Sequence, residues 1–206
     1  MTEKDILEQL KAIASLAQIG LLYSKDGYDR DRYTEILERS KTSVEQLTGV
    51  DIKRLDDFFD IPKDYITPQV DIRAFVINEA DEVLMVKEKA DGKWSIPGGW
   101  ADVGHSPAEI AVKEVFEESG IEVRAKRLLG VADKRKHPHP PALHYVYKIF
   151  VECEIIGGEL TKTHDILDNG FFKLNELPPL SEERILQAQI ELLFRTARNN
   201  EAAFID

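Results

Sequence analysis

The first sixty residues carry apolar side chains at three- and four-residue intervals and show no strand-like alternation. Ile6, Leu10, Ile13, Ala14, Ala17 and Leu21 draw one amphipathic helix ending near Tyr23. A second begins after Gly27, with Tyr33, Ile36, Leu37, Ser40 and Val44 as its inner face to about Leu47, and a short third covers Ile52 to Phe59. Residues 61–69, IPKDYITPQ, have two prolines and no period, which marks a linker between a helical domain at 1–60 and a second domain at 70–206.

Beyond the linker the period changes. VDIRAFVI alternates and then turns wholly apolar, as a central strand does, and VLMVKE follows a polar turn as its expected hairpin partner. EVRAKRLLGVADKR and LHYVYKIFVECEI are long strand candidates separated by KHPHPPA, and FFKL is a short one. Ser181, Glu182 and Glu183 open a final helix that carries Ile185, Leu186, Ile190, Leu193 and Phe194 inward. Helices between and after hairpin-connected strands imply an α/β domain, a mixed sheet covered on both sides as an α/β/α sandwich.

One segment holds candidate chemistry: GGWADVGHSPAEIAVKEVFEESGI, residues 98–121. Ser106 as N-cap, Pro107 at the first helical position and Glu109 completing a capping box start a helix that Gly120 ends. At about 100° per residue, Ala108, Ala111, Val112 and Val115 form an apolar stripe. Glu114, Glu117 and Glu118 occupy another sector, toward which Ile110 also points. A solvated acidic face is the ordinary explanation of such a trio. The preceding WSIPGGW strand-to-turn signal shifts the expectation to a cleft, where crowded carboxylates repel or take up protons unless a cation neutralises them. Oxygen ligands suit a hard ion, Mg²⁺ or Mn²⁺.

The segment resembles the Nudix box. Gly99, His105, Lys113, Glu114, Val115, Glu117, Glu118, Gly120 and Ile121 fall on its pattern, with His105 in place of the family's Glu and Lys113 in place of its Arg. Together with LLYSKDGYDRDRYTEI, VDIRAFV and KRKHPHPPALHYVYKIF, the box resembles a bacillus-type subfamily with a helical N-terminal domain. The resemblance implies a pyrophosphohydrolase acting on CDP-choline, the first candidate, or ADP-ribose. It makes Glu114, Glu117 and Glu118 the metal ligands and catalytic acids, with a carbonyl of Gly98 or Gly99 as a further ligand. The departures at His105 and Lys113 bear on how loop and helix brace each other.

A second phosphate needs a cation, for which Arg73, Lys87, Lys89 and Arg135 are candidates, and Trp100 offers an aromatic face to a choline headgroup. Asp165 and Asp168 are candidates for an extra ligand or base in the loop before FFKL. His137 and His139 bracket Pro138 in a loop expected to be exposed, with a structural or substrate-edge role ahead of zinc. Tyr23, Tyr28 and Tyr33 read as helix-packing aromatics, with base stacking the sharper alternative.

Composition narrows the partners. Lys and Arg total 27 against 38 Asp and Glu, a net charge of −11, which argues against a nucleic-acid duplex but allows a small anion in a locally basic cleft. The single Cys153 reads as a buried structural thiol. No apolar run approaches the 18 residues of a membrane span, and no signal-like N-terminus precedes the first helix, so a cytoplasmic protein without a membrane partner is expected. Three short helices bury little among themselves, which points to packing on the main domain or on a second subunit, a homodimer. A non-catalytic module that senses a nucleotide-sugar is the competing function.

Overall fold

A computed structural model describes residues 2–60, 64–161 and 166–206, apart from the side chains of residues 52, 54, 56 and 57. The chain divides into two compact units: residues 1–68 with 141–144, and residues 69–140 with 145–206.

In the first unit, helices α1 (Glu3–Tyr23), α2 (Gly27–Thr48) and α3 (Ile52–Phe59) follow one another. Thr2 and Asp5 form a capping box on α1, the Asp26 side chain caps α2, and Gly49 ends it in the left-handed conformation. Leu7, Ala14, Ala17 and Leu21 pack with Leu37, Val44, Leu55 and Phe59. The inner face of α1 is therefore rotated from the one read off the sequence, because Ile6 and Ile13 lie at 38% and 43% exposure. Ile36 is exposed as well. Both helices carry more apolar positions than one interface consumes, and periodicity alone does not choose between two adjacent stripes.

The second unit contains β1 (Gln69–Val76), β2 (Val83–Glu88), β3 (Trp94–Ser95), β4 (Gly98–Trp100), α4 (Pro107–Ser119), β5 (Ile121–Asp133), β6 (Val146–Gly158), β7 (Ile166–Phe172), α5 (Gln187–Arg198) and β8 (Phe204–Ile205). A mixed five-stranded sheet runs β4-β1-β6-β5-β8, with β1 parallel to β6 and antiparallel to β4. A second, antiparallel sheet runs β3-β2-β7.

The expected β1–β2 hairpin is thus corrected. Its turn exists, with the Asn78 side chain accepting from the amides of Ala80 and Glu82. Pairing, however, stops at a single Ile77–Val83 bridge before β2 leaves for the other sheet. Strands apolar on both sides carry no signal of which neighbour they take.

Even positions of β1 (Ile72, Ala74, Val76) pack with Ile110, Ala111 and Val115 of α4, whereas Phe75 packs on the other side with Met85, Phe150, Ile190 and Leu193. Helices therefore lie against both faces of the main sheet. The last helix starts at Gln187 rather than Ser181, because the Ser181 hydroxyl is bonded to Asp91 at 2.7 Å and its amide to the Trp94 carbonyl. Cys153 is buried in β6, and burial pushes its thiol up to about 12, which keeps it unreactive.

Candidate active site

The acidic helix is built as its sequence dictates. Ser106 accepts from the Glu109 amide, the Glu109 carboxylate accepts from the Ser106 amide, Pro107 opens the helix, and Gly120 closes it at φ +77°. Its inward face consists of Ile110, Ala111, Val115 and Glu118; Ala108, placed in the apolar stripe by the wheel, is exposed. That rotation sends the three glutamates to different depths. Glu118 is only 8% exposed, Glu114 is partly buried and Glu117 is exposed.

Glu118 Oε2 accepts a 3.0 Å hydrogen bond from the amide of Gly98. Gly98 is at φ +147°, and a Cβ there would lie 2.1 Å from the Ile72 carbonyl oxygen, so glycine is required for β4 to run this close to β1. Burial pushes the Glu118 carboxyl up to about 8, with Arg73 and the Gly98 amide opposing and Glu88 and Glu114 adding to it. Burial raises Glu114 as well, against the pull of Lys113 and with the push of Glu117.

Lys113 ties helix to loop. Its ammonium lies 3.1 Å from Asp102, 3.7 Å from Glu117 and 3.9 Å from Glu114. His105 is exposed, and its amide donates to the Asp102 carbonyl. Of the two departures from the box, Lys113 supplies a brace through its side chain, whereas His105 meets Asp102 through its backbone.

Beside Gly98 and Gly99 opens a cleft of about 430 Å³ that also takes in Trp100, Arg73 and Lys148. Trp100 presents 55% of its surface. Four cations line it: Arg73, Lys134, Lys148 and Arg184. Of the cations named from sequence, only Arg73 is among them. Its guanidinium is turned inward, to Asp71 at 2.9 Å and to Ser95 and Ile96 at 3.3 Å. Burial works against its charge, but Asp71, Glu118 and Glu88 more than offset that and raise its pKa.

Lys87 lies on β2 opposite Trp94 and Asp168, and Lys89 is exposed in the following turn; neither lines the cleft. Arg135 grips Asp133 and stacks 4.9 Å over the Tyr145 ring, also outside it. Asp168 is an exposed strand residue of β7 rather than a loop acid, and Asp165 lies outside the described residues. His139, expected in an exposed loop, is buried at 3% exposure with Nδ1 2.6 Å from the Glu182 carbonyl. Of the tyrosines, Tyr33 packs over Gly20 within the helical unit, while Tyr23 and Tyr28 are exposed.

The sequence did not single out Asp71, Lys148, Lys134, Arg184 or Glu88. A signal was present for two of them: Asp71 in VDIRAFV and Lys148 in VYKIF each interrupt a strand that is otherwise apolar.

Among the described residues, no group of three or more His, Cys, Asp and Glu side chains converges as a ready-made metal cluster. Glu117 is the reason within the trio, since it turns outward to Lys113. Glu114 and Glu118 do fit a hard divalent ion. They are oxygen donors, partly or wholly desolvated, and burial favours loss of their charge, which a cation would neutralise in place of a proton.

Comparison with known proteins bears on both units. The family model for the NUDIX domain matches residues 67–193, and the model described as UDP-X-like, N-terminal oligomerisation domain matches residues 4–59. YjhB of Bacillus subtilis strain 168, whose name as an ADP-ribose pyrophosphatase is provisional, is 40% identical over 193 residues, covering 94% of this chain and 92% of its own. Among solved structures, a UDP-X diphosphatase aligns over 100% of both chains at 29% identity and a TM-score of 0.64. An ADP-ribose pyrophosphatase from Streptococcus suis 89-1591 aligns over 68% of this chain and 100% of its own, at 38% identity and a TM-score of 0.62.

Proposed function

We propose, because this chain belongs to the Nudix hydrolase family, that it cleaves the diphosphate linkage of a nucleoside diphosphate derivative of the ADP-ribose class. The carrying observation is the Glu118 carboxylate, drawn out of water onto the Gly98 amide at the edge of a cleft that Trp100 and four cations line. The names borne by relatives support ADP-ribose ahead of CDP-choline, and a UDP-linked compound is the next candidate.

Glu114 and Glu118, joined by Glu117 and a carbonyl of Gly98 or Gly99, would hold Mg²⁺ or Mn²⁺. When bound, such an ion supplies charge neutralisation for the diphosphate and acidifies a coordinated water. Glu114, half-buried on the same helix, is our candidate to accept the proton of the attacking water. Cleavage adds that water across the anhydride, so ADP-ribose gives AMP and ribose 5-phosphate. Trp100 offers an open ring to the base or headgroup. Lys134 and Arg184, at the cleft wall, offer positive charge to the phosphates, although each also pairs with an acid, Glu183 and Glu88.

The helical unit adds the remaining element, a homodimer formed through residues 4–59, the range that matches the oligomerisation model. No helix among the described residues is long and apolar enough to cross a membrane.

The test is a panel of ADP-ribose, CDP-choline and UDP-sugars with Mg²⁺ or Mn²⁺, comparing the parent with Glu118→Gln. Turnover by the parent and a loss of about a hundredfold or more in the variant are expected. A folded parent that turns over no member of the panel would favour a sensing module instead.

A further inference from the structure

Asp71 and Arg73 interrupt a central strand whose intervening residues are wholly buried, and Lys148 stands directly opposite Asp71 in the register of parallel strand β6. Exposure of the three is 5%, 6% and 1%. Asp71 serves both cations: its Oδ1 accepts from Arg73 Nε at 2.9 Å and its Oδ2 accepts from Lys148 Nζ, while Glu88 lies 3.9 Å from the Arg73 guanidinium. Buried ion pairs rarely stabilise a fold beyond what apolar residues of similar size would do. Stability therefore gives no sufficient reason for this group.

Its contacts lead to the acidic helix. The far end of Arg73 donates to the Ser95 hydroxyl and the Ile96 carbonyl, 3.3 Å each, three and two residues ahead of Gly98. The Arg73 stem backs directly on Gly98, where a Cβ would lie 3.0 Å from Arg73 Cδ. Gly98 in turn donates to Glu118, whose negative charge is among those felt by Arg73.

We propose that Asp71 and Lys148 are positioning residues: by clamping Arg73 they fix the Gly98 amide and hold the Glu118 carboxylate in place for its divalent ion. Ligand-orienting partners of this kind typically change metal affinity by about 10–100-fold when removed. The role rests on the hydrolase assignment above, but it is read in metal binding as well as turnover.

The experiment measures Mn²⁺ affinity of the full chain by electron paramagnetic resonance, without substrate, for the parent, Asp71→Asn and the apolar pair Asp71→Leu with Lys148→Leu. Steady-state kinetics on ADP-ribose and circular dichroism accompany it. Expected are Mn²⁺ binding weakened by about tenfold or more in both variants and a fall in kcat of similar size, with a substrate KM changed by no more than about threefold in Asp71→Asn, which keeps the cleft cation Lys148. The apolar pair guards against misfolding of the single variant, since it leaves no unpaired Lys148, and Arg73 keeps Glu88 at 3.9 Å. Folded variants with parental Mn²⁺ affinity overturn the proposal, and so does failure of both to fold, which would make the trio purely structural. A parent that binds Mn²⁺ but cleaves nothing defeats the hydrolase assignment and leaves this role to be decided by the Mn²⁺ affinities. A parent that binds no Mn²⁺ overturns both.

Discussion

Glu118 is held between two demands. Its carboxyl is pushed up to about 8 in the metal-free protein, whereas in an unfolded chain it titrates near 4.5. The folded state therefore binds the proton more tightly, and the stability this confers, complete below about pH 4.5, is lost as pH rises through 8. A shift of that size corresponds to roughly 2–5 kcal/mol. Glu118→Gln, which cannot ionise, is expected to melt several degrees higher than the parent in EDTA at pH 8–9, and no higher at pH 4.5. Equal melting curves at pH 8 would contradict the buried, protonated state.

His139 has the opposite sign. Burial pulls its imidazole down to about 4, with the Glu182 carbonyl opposing and Lys148, Lys134 and His137 adding to the fall. Its contribution is intact above the ordinary value of 6.5 and is lost as pH falls toward 4. His139→Asn should flatten the parent's loss of stability between pH 6.5 and 4.5 in denaturant titrations; an unchanged slope would sink that assignment. Residue types at both sites were legible in the sequence, but their depth was not. Depth depends on which side of a loop or helix meets the core, and the wheel leaves that rotation free.

At the scale of elements, α4 shows what local rules decide. Its cap, its proline start and its glycine stop are encoded within fifteen consecutive residues, and the helix runs from Pro107 to Ser119 as they imply. Rotation against the sheet is not encoded locally, which is why Ile110 and Ala108 exchanged roles between expectation and structure. The partner of β2 and the start of α5 were missed for the same reason: each depends on contacts far along the chain, β7 for one and Asp91 for the other.

The glycine turn before α4 supplies a sharper test. Gly98→Ala meets both a positive φ and a backbone oxygen at 2.1 Å, so it should cost about 1–3 kcal/mol and at least a tenfold loss of kcat/KM, through displacement of the amide that holds Glu118. Gly92→Ala, also at positive φ (+68°) but with open space around it, should cost about 1 kcal/mol and leave kcat/KM unchanged. Thermal melts with steady-state kinetics decide it, and parental activity in Gly98→Ala would remove the turn from the site.

For the whole molecule, the apolar period of the sequence changes near residues 61–69, while the helical unit takes in residues 141–144 as well as 1–68, a long-range contribution that no local pattern marks. The separation of the strands into two sheets does not show there, because apolar strands look alike whichever sheet they join. On α1, Ile6, Ile13, Leu16 and Tyr23 remain 38–67% exposed after the inner stripe has packed. A second copy of this unit is the occupant that the match to an oligomerisation model favours. Ile13→Glu with Leu16→Glu should halve the mass measured by light scattering while helicity is kept, and an unchanged mass would exclude that face.

The net charge of −11 fits a small substrate gathered by a local cluster of cations better than a polyanion. That leaves the central claim, hydrolysis of a diphosphate by a metal held on the acidic face of α4. It is tested most directly by following ADP-ribose with ³¹P NMR in Mn²⁺-activated and then EDTA-treated samples, quenched and stripped of metal before acquisition. AMP and ribose 5-phosphate should accumulate with the ion, stop on chelation and resume when Mn²⁺ is restored. Phosphoanhydride cleavage that continues undiminished in EDTA, or in Glu118→Gln, would contradict it.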